Sequence, residues 1–255
     1  MSSRISGTET GSTSVPQPSR TAAPCPNTEV AGSYLVKTQD PGATPGPGRT
    51  EFVIIGGGGH ASVVAMVLMR AERDIIGFTA PAPRPPPLGL HYLGTNEALA
   101  ALANGRIVSA ALGIGAVGKS GRRLKLMDRI GALGIGFPPI IANGAIVHDD
   151  VEVGAGTVIL DGAVVITGAR MGRGCIINTR ASVDHDCVLG DDVHVAPGAT
   201  LTGNVRVGSH CLIGAGATVI PDVSICAGAV IGAGATVVRD IHESGTYLGT
   251  PARKA

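Results

Sequence analysis

Two histidines, His185 and His194, lie nine residues apart in the stretch NTRASVDHDCVLGDDVHVAPGA, which covers residues 178–199. Histidine titrates near neutral pH, so it can take a proton in catalysis, and its neutral form can bind a metal ion. The aspartates around the two residues could stabilise a protonated imidazole. Whether the histidines act as a base, as metal ligands or as plain surface residues depends on the elements that position them.

Every sixth residue from Ile141 to Val237 is aliphatic or Met, and the residue four positions further along is nearly always small or apolar. This period matches neither the 3.6 residues of a helical turn nor the alternation of a strand. It is typical of hexapeptide repeats, in which three hexads complete one triangular coil. Residues 140–255 are therefore predicted to form an all-β, left-handed parallel β-helix of between five and six coils, followed by a C-terminal tail.

Residues 50–139 have a different pattern, in which apolar strands alternate with helical segments. EFVII is followed by a glycine turn and a helical pattern, and RDIIGFTA and IVSAALGIG predict further strands. This alternation favours a small α/β, Rossmann-like domain with a parallel sheet. Residues 1–49 are rich in Ser, Thr, Pro and Gly and lack hydrophobic periodicity, so we expect a disordered extension there.

Composition and charge limit the classes of binding partner and the cellular compartment that we expect for this protein. A net charge of +1 with 15% charged residues gives no reason to expect nucleic acid or a membrane as partner. The five cysteines include no CxxC pair, which argues against a disulfide framework and a zinc ribbon, and no metal is expected. We also see no apolar run that could span a bilayer and no signal-like segment, so we expect a cytoplasmic protein.

The hexad register predicts which side chains point inward. Cys175, Cys187 and Cys211 fall at the small inward position, where cysteine acts as a compact hydrophobic residue. His185 and His194 fall at outward positions half a coil apart, so one prism should not bring them together. Such prisms commonly assemble as trimers, and cyclic symmetry repeats a cleft between neighbours. We therefore predict a homotrimer with inter-subunit active sites.

Several motifs together carry a family resemblance. The hexads, the segment SVDHDCVLGDDVHVAPGATLTGNVRVG, the terminal GTYLGTPARK and the upstream GGGGHA resemble bacterial hexapeptide-repeat sugar acetyltransferases. That family contains sialic acid O-acetyltransferases and nucleotide-linked 4-amino-sugar N-acetyltransferases, and the resemblance covers residues 51–255. It implies transfer of an acetyl group from acetyl-CoA to an amino or hydroxyl group of a sugar, with a nucleotide-linked amino sugar as the expected acceptor.

The resemblance also implies the catalytic residues. His185 corresponds to the general base, and Asp186 to the acid that supports its basicity, a position at which the family more often has Glu. Asp184, on the other side of His185, is an alternative partner. Gly203 lies one coil beyond His185, so we expect it to stack beside the histidine, where its amide could stabilise a tetrahedral oxyanion.

Binding residues for the co-substrate follow from the same resemblance. His194 corresponds to a contact with acetyl-CoA, Asn178 to a polar substrate residue near the base, and Ala215 and Ala233 to backbone contacts with CoA. The basic residues at the end of the terminal motif could meet CoA phosphates or form a solvated tail: Arg253 and Lys254.

The stretch VIIGGGGHA places a glycine turn between a strand and a helix, an arrangement that binds phosphates. The resemblance implies that Gly58, Gly59, His60 and Gly115 hold the nucleotide-sugar. The turn also fits G-x-G-x-x-A, but a dinucleotide site needs an acid near the end of the second strand. That strand ends GFTAPAP without one, which argues against NAD.

Three alternatives stay open at this point. One is O-acetylation of sialic acid or of a serine-like small acceptor by the same base. Another is a zinc hydratase on a trimeric β-helix, which needs three converging histidines, whereas the histidine pair five residues apart that such enzymes have is absent. The third is a non-catalytic trimeric scaffold. The remaining histidines of this domain match no motif and are predicted to be surface residues: His148, His210 and His242.

Overall fold

The computed structural model describes residues 35–37, 50–103, 108–116 and 121–255. Strand β1 (Leu35–Lys37) is the one described part of the first 49 residues. The rest of the expected disordered extension lies outside the described residues, so the disorder stays a prediction.

A three-stranded parallel sheet forms the first domain. Its strands are β2 (Glu51–Ile55), β3 (Ile75–Thr79) and β4 (Val108–Leu112), in the order β3-β2-β4. All pairs are parallel, which confirms the predicted α/β domain. The central strand β2 is almost continuously apolar because helices cover both faces of the sheet.

Three helices accompany this sheet: α1 (Gly59–Arg70), the short α2 (Leu99–Leu102) and α3 (Arg122–Gly131). Two 3-10 turns, Pro87–Gly89 and Asn96–Ala98, lie between β3 and α2. Helix α1 packs on the face of the sheet that carries Ile54, and α3 packs on the face that carries Val53. Within the described residues, no helix is long and apolar enough to cross a membrane.

The second domain is a β-helix of short parallel strands with a closing hairpin. Its strands are β5 (Ile140–Ile141), β6 (Ile146–Val147), β7 (Glu152–Gly154), β8 (Val158–Ile159), β9 (Val164–Val165), β10 (Arg170–Met171), β11 (Ile176–Ile177), β12 (Ser182–Val183), β13 (Val188–Leu189), β14 (His194–Val195), β15 (Thr200–Leu201), β16 (Arg206–Val207), β17 (Leu212–Ile213), β18 (Thr218–Val219), β19 (Ser224–Ile225), β20 (Val230–Ile231), β21 (Thr236–Val237), β22 (Thr246–Leu248) and β23 (Arg253–Lys254).

These strands stack into three faces. The first face runs β7-β10-β13-β16-β19, with β1 antiparallel to β7; the second runs β5-β8-β11-β14-β17-β20 and continues into β22 and β23; the third runs β6-β9-β12-β15-β18-β21. Ile176 pairs with His194, which pairs with Leu212, so each coil takes 18 residues. The predicted left-handed hexapeptide β-helix is confirmed.

A left-handed backbone residue closes fourteen consecutive hexads. Positive φ angles recur at every sixth position from Gly156 to Gly234, and glycine occupies eight of these positions. Six positions carry larger residues in the same conformation, all with φ between 57° and 63°: Arg180, Asp186, Asp192, Asn204, His210 and Asp222. Asn, Asp and His tolerate this region better than most side chains, whereas glycine adopts it freely.

The inward side chains fill the prism completely. Met171, Leu189 and Leu201 are fully buried. Cys187 and Cys175 are fully buried and Cys211 nearly so, as the hexad register predicts. Burial raises the pKa of the Cys175 thiol to about 12, so this side chain behaves as a hydrophobic residue.

The α/β domain covers the second face of the prism. Val158 and Leu160 point outward from this face, yet both are buried in one cluster with α1. Ile176, in the next coil, is also fully buried. One face of the β-helix is therefore occupied within the protomer, which matters for where the functional residues can meet a substrate.

We expect Met171→Ala to lower the free energy of unfolding by about 2–5 kcal/mol, because it leaves a cavity in a closely packed prism. Its neighbour on β10, Arg170, is exposed and makes one surface ion pair of 3.7 Å with Glu152, so Arg170→Ala should cost at most about 1 kcal/mol. Urea unfolding of both variants at one fixed protein concentration measures the difference. Equal losses would contradict the inward assignment of Met171.

Candidate active site

His185 lies on the turn between β12 and β13, at the corner between the third and first faces. Asp186 follows it with φ of 59°, and this left-handed conformation accompanies a hydrogen bond between His185 Nδ1 and Asp186 Oδ2 of 2.8 Å. The backbone amide of His185 donates to Asp184 Oδ1 at 2.8 Å. Asp186, and not Asp184, is therefore the ring's partner in this conformation.

The acids around His185 raise the pKa of its imidazole. The hydrogen bond with Asp186 is the largest cause, and the charges of Asp184 and Asp222 act in the same direction. Because Nδ1 donates to a carboxylate, the lone pair of the neutral ring is on Nε2. The side chains of His185 and Asp186 are 54% and 66% exposed, so the pair faces solvent.

Gly203 lies against the imidazole of His185, as predicted. A Cβ at this position would stand 2.6 Å from His185 Cε1, so any larger residue would displace the ring. The amide of Gly203 makes no hydrogen bond to another described residue. A free N–H group beside an imidazole is well placed to donate a hydrogen bond to an oxyanion.

His194 lies at the start of β14 on the second face, where the α/β domain covers it. Its Nδ1 bonds the carbonyl oxygen of Ala116 at 2.7 Å and must therefore donate. Its Nε2 accepts from Asn178 Nδ2 at 3.0 Å, and the Asn178 oxygen in turn accepts from the amide of Thr179. Burial lowers the pKa of His194, with a contribution from the charge of Arg123, so the ring is neutral at pH 7.

The glycine turn precedes α1 and opens to solvent. Nothing lies within 4 Å of a Cβ built on Gly58 or Gly59, so a ligand can approach the backbone at the N-terminus of this helix. Burial lowers the pKa of His60 to about 4, helped by the charge of Arg123. A Cβ on Gly115 would stand 3.8 Å from the Cβ of His60, so the two sequence-predicted positions adjoin.

One protomer thus divides the predicted residues into two groups. His60, Gly115, Asn178 and His194 meet where the α/β domain contacts the second face, close to the open glycine turn. The second group lies at the corner between the third and first faces and comprises His185, Asp186 and Gly203.

Ala215 and Ala233, the predicted CoA contacts, belong to neither group. They lie one coil apart on the exposed corner between the second and third faces, where the Gly234 amide donates to the Ala215 carbonyl at 2.9 Å. At the C-terminal end, Lys254 Nζ bonds Glu243 Oε2 at 2.6 Å, and Arg253 is exposed.

The structure adds three residues that sequence reasoning missed. Arg123 and Asp192 form a buried ion pair at the contact of the two domains, and His210 Nδ1 lies 3.2 Å from the second carboxylate oxygen of Asp192. His210, which was predicted to be a surface residue, is one-third exposed, and its ring bonds a buried acid. His148 and His242 are exposed. Among the described residues, no group of three His, Cys, Asp or Glu side chains could hold a metal ion.

Comparison with known families and structures gives matches in both domains. Residues 51–130 match the PglD N-terminal domain, and residues 168–203 and 204–239 match the bacterial transferase hexapeptide (six repeats). No curated protein sequence matches the chain. The acetyltransferase domain of PglB from Neisseria gonorrhoeae FA1090, solved with acetyl coenzyme A, is 33% identical with a TM-score of 0.76, covering 82% of this chain and 100% of that one. This chain belongs to the hexapeptide-repeat sugar acetyltransferases.

Two further solved structures are similar to this chain. A variant of perosamine N-acetyltransferase from Caulobacter crescentus, solved with CoA and GDP-perosamine, is 35% identical with a TM-score of 0.77, and the match covers 80% of this chain and 96% of that chain. WeeI from Acinetobacter baumannii AYE is 23% identical with a TM-score of 0.71 over 81% of this chain and 100% of that one, and shares the fold. The chain is thus an acyltransferase.

We expect Asp186→Asn to lower the pKa of His185, because it removes the largest cause of the upward shift. Residual elevation should persist from Asp184 and Asp222. NMR titration of the imidazole signals, assigned with a His185→Asn variant, measures the change. Asp150→Asn, two coils away on the same corner of the prism, is the matched control and should leave the pKa of His185 unchanged. An unchanged His185 pKa in Asp186→Asn would contradict the dyad.

Proposed function

We propose that this enzyme transfers the acetyl group of acetyl-CoA to the amino group of a nucleotide-linked amino sugar, with His185 as the general base. The observation that carries the proposal is the exposed His185–Asp186 dyad, whose 2.8 Å hydrogen bond leaves Nε2 as the acceptor. A histidine with a raised pKa still accepts protons near neutral pH, and a carboxylate at Nδ1 stabilises the imidazolium that forms.

The reaction proceeds by direct transfer. The amine nitrogen attacks the thioester carbonyl carbon, a C–N bond forms, and His185 Nε2 takes the proton that the nitrogen loses. The negative charge on the tetrahedral oxygen faces the free amide of Gly203. Collapse breaks the C–S bond, the sulfur takes the electron pair and a proton from the imidazolium, and CoA thiol and the N-acetyl sugar leave.

The glycine turn supports a nucleotide-linked acceptor. Gly58 and Gly59 present open backbone at the start of α1, a position that favours a phosphate group. His60 and Gly115 adjoin this turn and complete the proposed sugar-nucleotide site. The solved relative with GDP-perosamine binds a substrate of this class.

Acetyl-CoA is assigned to the side of His194. This imidazole is neutral and fixed by two hydrogen bonds, and Asn178 lies within 3.0 Å of it. Ala215 and Ala233 line the adjoining exposed corner, where their backbone groups could meet the pantetheine arm. The PglB domain solved with acetyl coenzyme A is a relative that uses this co-substrate.

A neighbouring subunit must bring the two groups of residues together. Within one protomer His194 lies on the covered second face, whereas His185 lies at the corner of the two uncovered faces. A homotrimer packs such corners into repeated clefts between prisms. We therefore propose that His185 of one subunit serves the acetyl-CoA and sugar bound beside a neighbour's second face.

His185→Ala should lower kcat by a factor of about 10²–10⁴, because it removes the base and leaves the binding residues in place. The assay is the release of CoA thiol from acetyl-CoA in the presence of acceptor. His242→Ala, at an exposed histidine outside the site, is the control and should keep wild-type kcat, and size-exclusion chromatography should give one elution volume for all three proteins. Near-normal turnover of His185→Ala would refute the assignment of the base.

The acceptor is tested with the wild-type enzyme. Nucleotide-linked 4-amino sugars should support thiol release, whereas free sialic acid and serine should not. If only sialic acid or serine supports thiol release, the enzyme is an O-acetyltransferase and the proposed N-acetylation is wrong. Calorimetry that detects no binding of acetyl-CoA would favour the scaffold.

Mixed trimers test the inter-subunit site directly. We expect His185→Ala and His194→Ala homotrimers to be weakly active, since each lacks one side of every site. When the two are co-expressed at equal levels, about one site in four should combine an intact His185 with an intact His194 from its neighbour, so about a quarter of wild-type activity should return. Activity no higher than that of the single variants would place both histidines of a site in one subunit.

A further inference from the structure

A buried ion pair joins the two domains beneath the candidate site. Arg123 lies on α3 and Asp192 on the turn before β14, and they are 3% and 4% exposed. Buried charges are costly unless they are paired and hydrogen-bonded, so the position of this pair needs a reason.

Arg123 spreads its donors over three segments of chain. Its Nε donates to the carbonyl of Ile114 at 2.8 Å, and its Nη1 donates to the carbonyl of Gly174 at 2.7 Å and to Asp192 Oδ1. The first acceptor belongs to the loop after β4 and the other two belong to the β-helix. A planar guanidinium can hold such a set at once, whereas a lysine ammonium cannot reproduce the fork.

The same loop is held a second time from the β-helix. His194, two residues after Asp192, donates from Nδ1 to the carbonyl of Ala116. The two held carbonyls, at Ile114 and Ala116, flank Gly115, which adjoins His60. One loop therefore connects the element assigned to the nucleotide-sugar with the histidine assigned to acetyl-CoA.

Polar groups at this contact are left without partners. Arg123 Nη2 and His60 Nε2 are buried and make no hydrogen bond to another described residue. The charge of Arg123 lowers the pKa of both His60 and His194, while the other charged group facing His194 is Asp192, itself bonded by His210. Arg123 thus acts on both imidazoles without donating a hydrogen bond to either.

We propose that Arg123, paired with Asp192, is a positioning residue that fixes residues 113–116 between the two substrate sites. It fixes the positions of Gly115 and His60 relative to His194, so that the sugar and the thioester meet in a reactive orientation. This role rests on the proposed function for its effect on catalysis, but the ordering of the loop can be measured without any substrate.

The test uses the full chain with a double variant and a matched control. Arg123→Met with Asp192→Asn removes both charges together, because removing one alone leaves an uncompensated buried charge and can unfold the protein. Arg123→Lys keeps the charge and removes the fork. The control is Asp128→Asn, which breaks the 2.9 Å ion pair with Arg173, a second link between α3 and the β-helix that is more exposed and makes no contact with the loop.

Three quantities are measured: the melting temperature, hydrogen exchange of the backbone amides of residues 114–116, and kcat with KM for each substrate. In the double variant we expect a melting temperature close to wild type, loop exchange at least about tenfold faster, and kcat/KM lower by about 10- to 100-fold, since small misplacements of reacting groups are costly. Arg123→Lys should show the same faster exchange, and Asp128→Asn should match wild type in exchange and kinetics.

Wild-type loop exchange in either the double variant or Arg123→Lys would overturn the positioning role. Wild-type kcat/KM in a double variant whose loop exchanges faster would also overturn it. The two proposals fail separately. If the wild-type chain acetylates no amino sugar, the proposed function is wrong, yet the exchange measurement still decides whether Arg123 orders the loop.

Discussion

The interior of the triangular prism is the constraint on which the rest of the molecule depends. Each hexad places one aliphatic or Met side chain inside, as Met171, Leu189 and Leu201 show, and the hexads from Gly156 to Gly234 each close with a left-handed residue. Packing at that density favours apolar side chains inside, and the buried Thr157 is accommodated because its hydroxyl donates to the carbonyl of Gly172. Chemistry is therefore confined to outward positions and corners, where side chains recur with the spacing of one coil.

Some of the left-handed corner positions carry polar side chains instead of glycine, and these side chains lie in or near the candidate site. A side chain in this conformation costs about 1–2 kcal/mol relative to the right-handed region, a cost that glycine avoids. The chain nevertheless places Asp186, Asp192 and His210 there. Asp186 bonds the imidazole of His185, and Asp192 bonds both Arg123 and His210 where the two domains meet. A residue other than glycine at this hexad position was thus a usable signal for Asp192 and His210.

Two histidines in one short segment have opposite electrostatic environments. His185 is exposed and bonded to a carboxylate, which raises its pKa, whereas His194 is covered by the α/β domain and lies near Arg123, which lowers its pKa. The same side chain is therefore an exposed, carboxylate-bonded group with a raised pKa in one place and a fixed neutral hydrogen-bonding group in the other. The adjacent Asp186 sets the environment of His185, whereas domain packing sets that of His194.

The sequence by itself determined the coil register, and with it the buried cysteines, the outward dyad of His185 and Asp186, and the stacking of Gly203 on the imidazole. These features follow from contacts that repeat every 18 residues, so periodicity encodes them. Only the tertiary structure decided which face the α/β domain covers, and hence the neutral state of His194 and its link to Ala116, 78 residues away. Arg123 reaches Asp192 across 69 residues. Such contacts have no period and depend on the shapes of two docked surfaces, which a single sequence does not display.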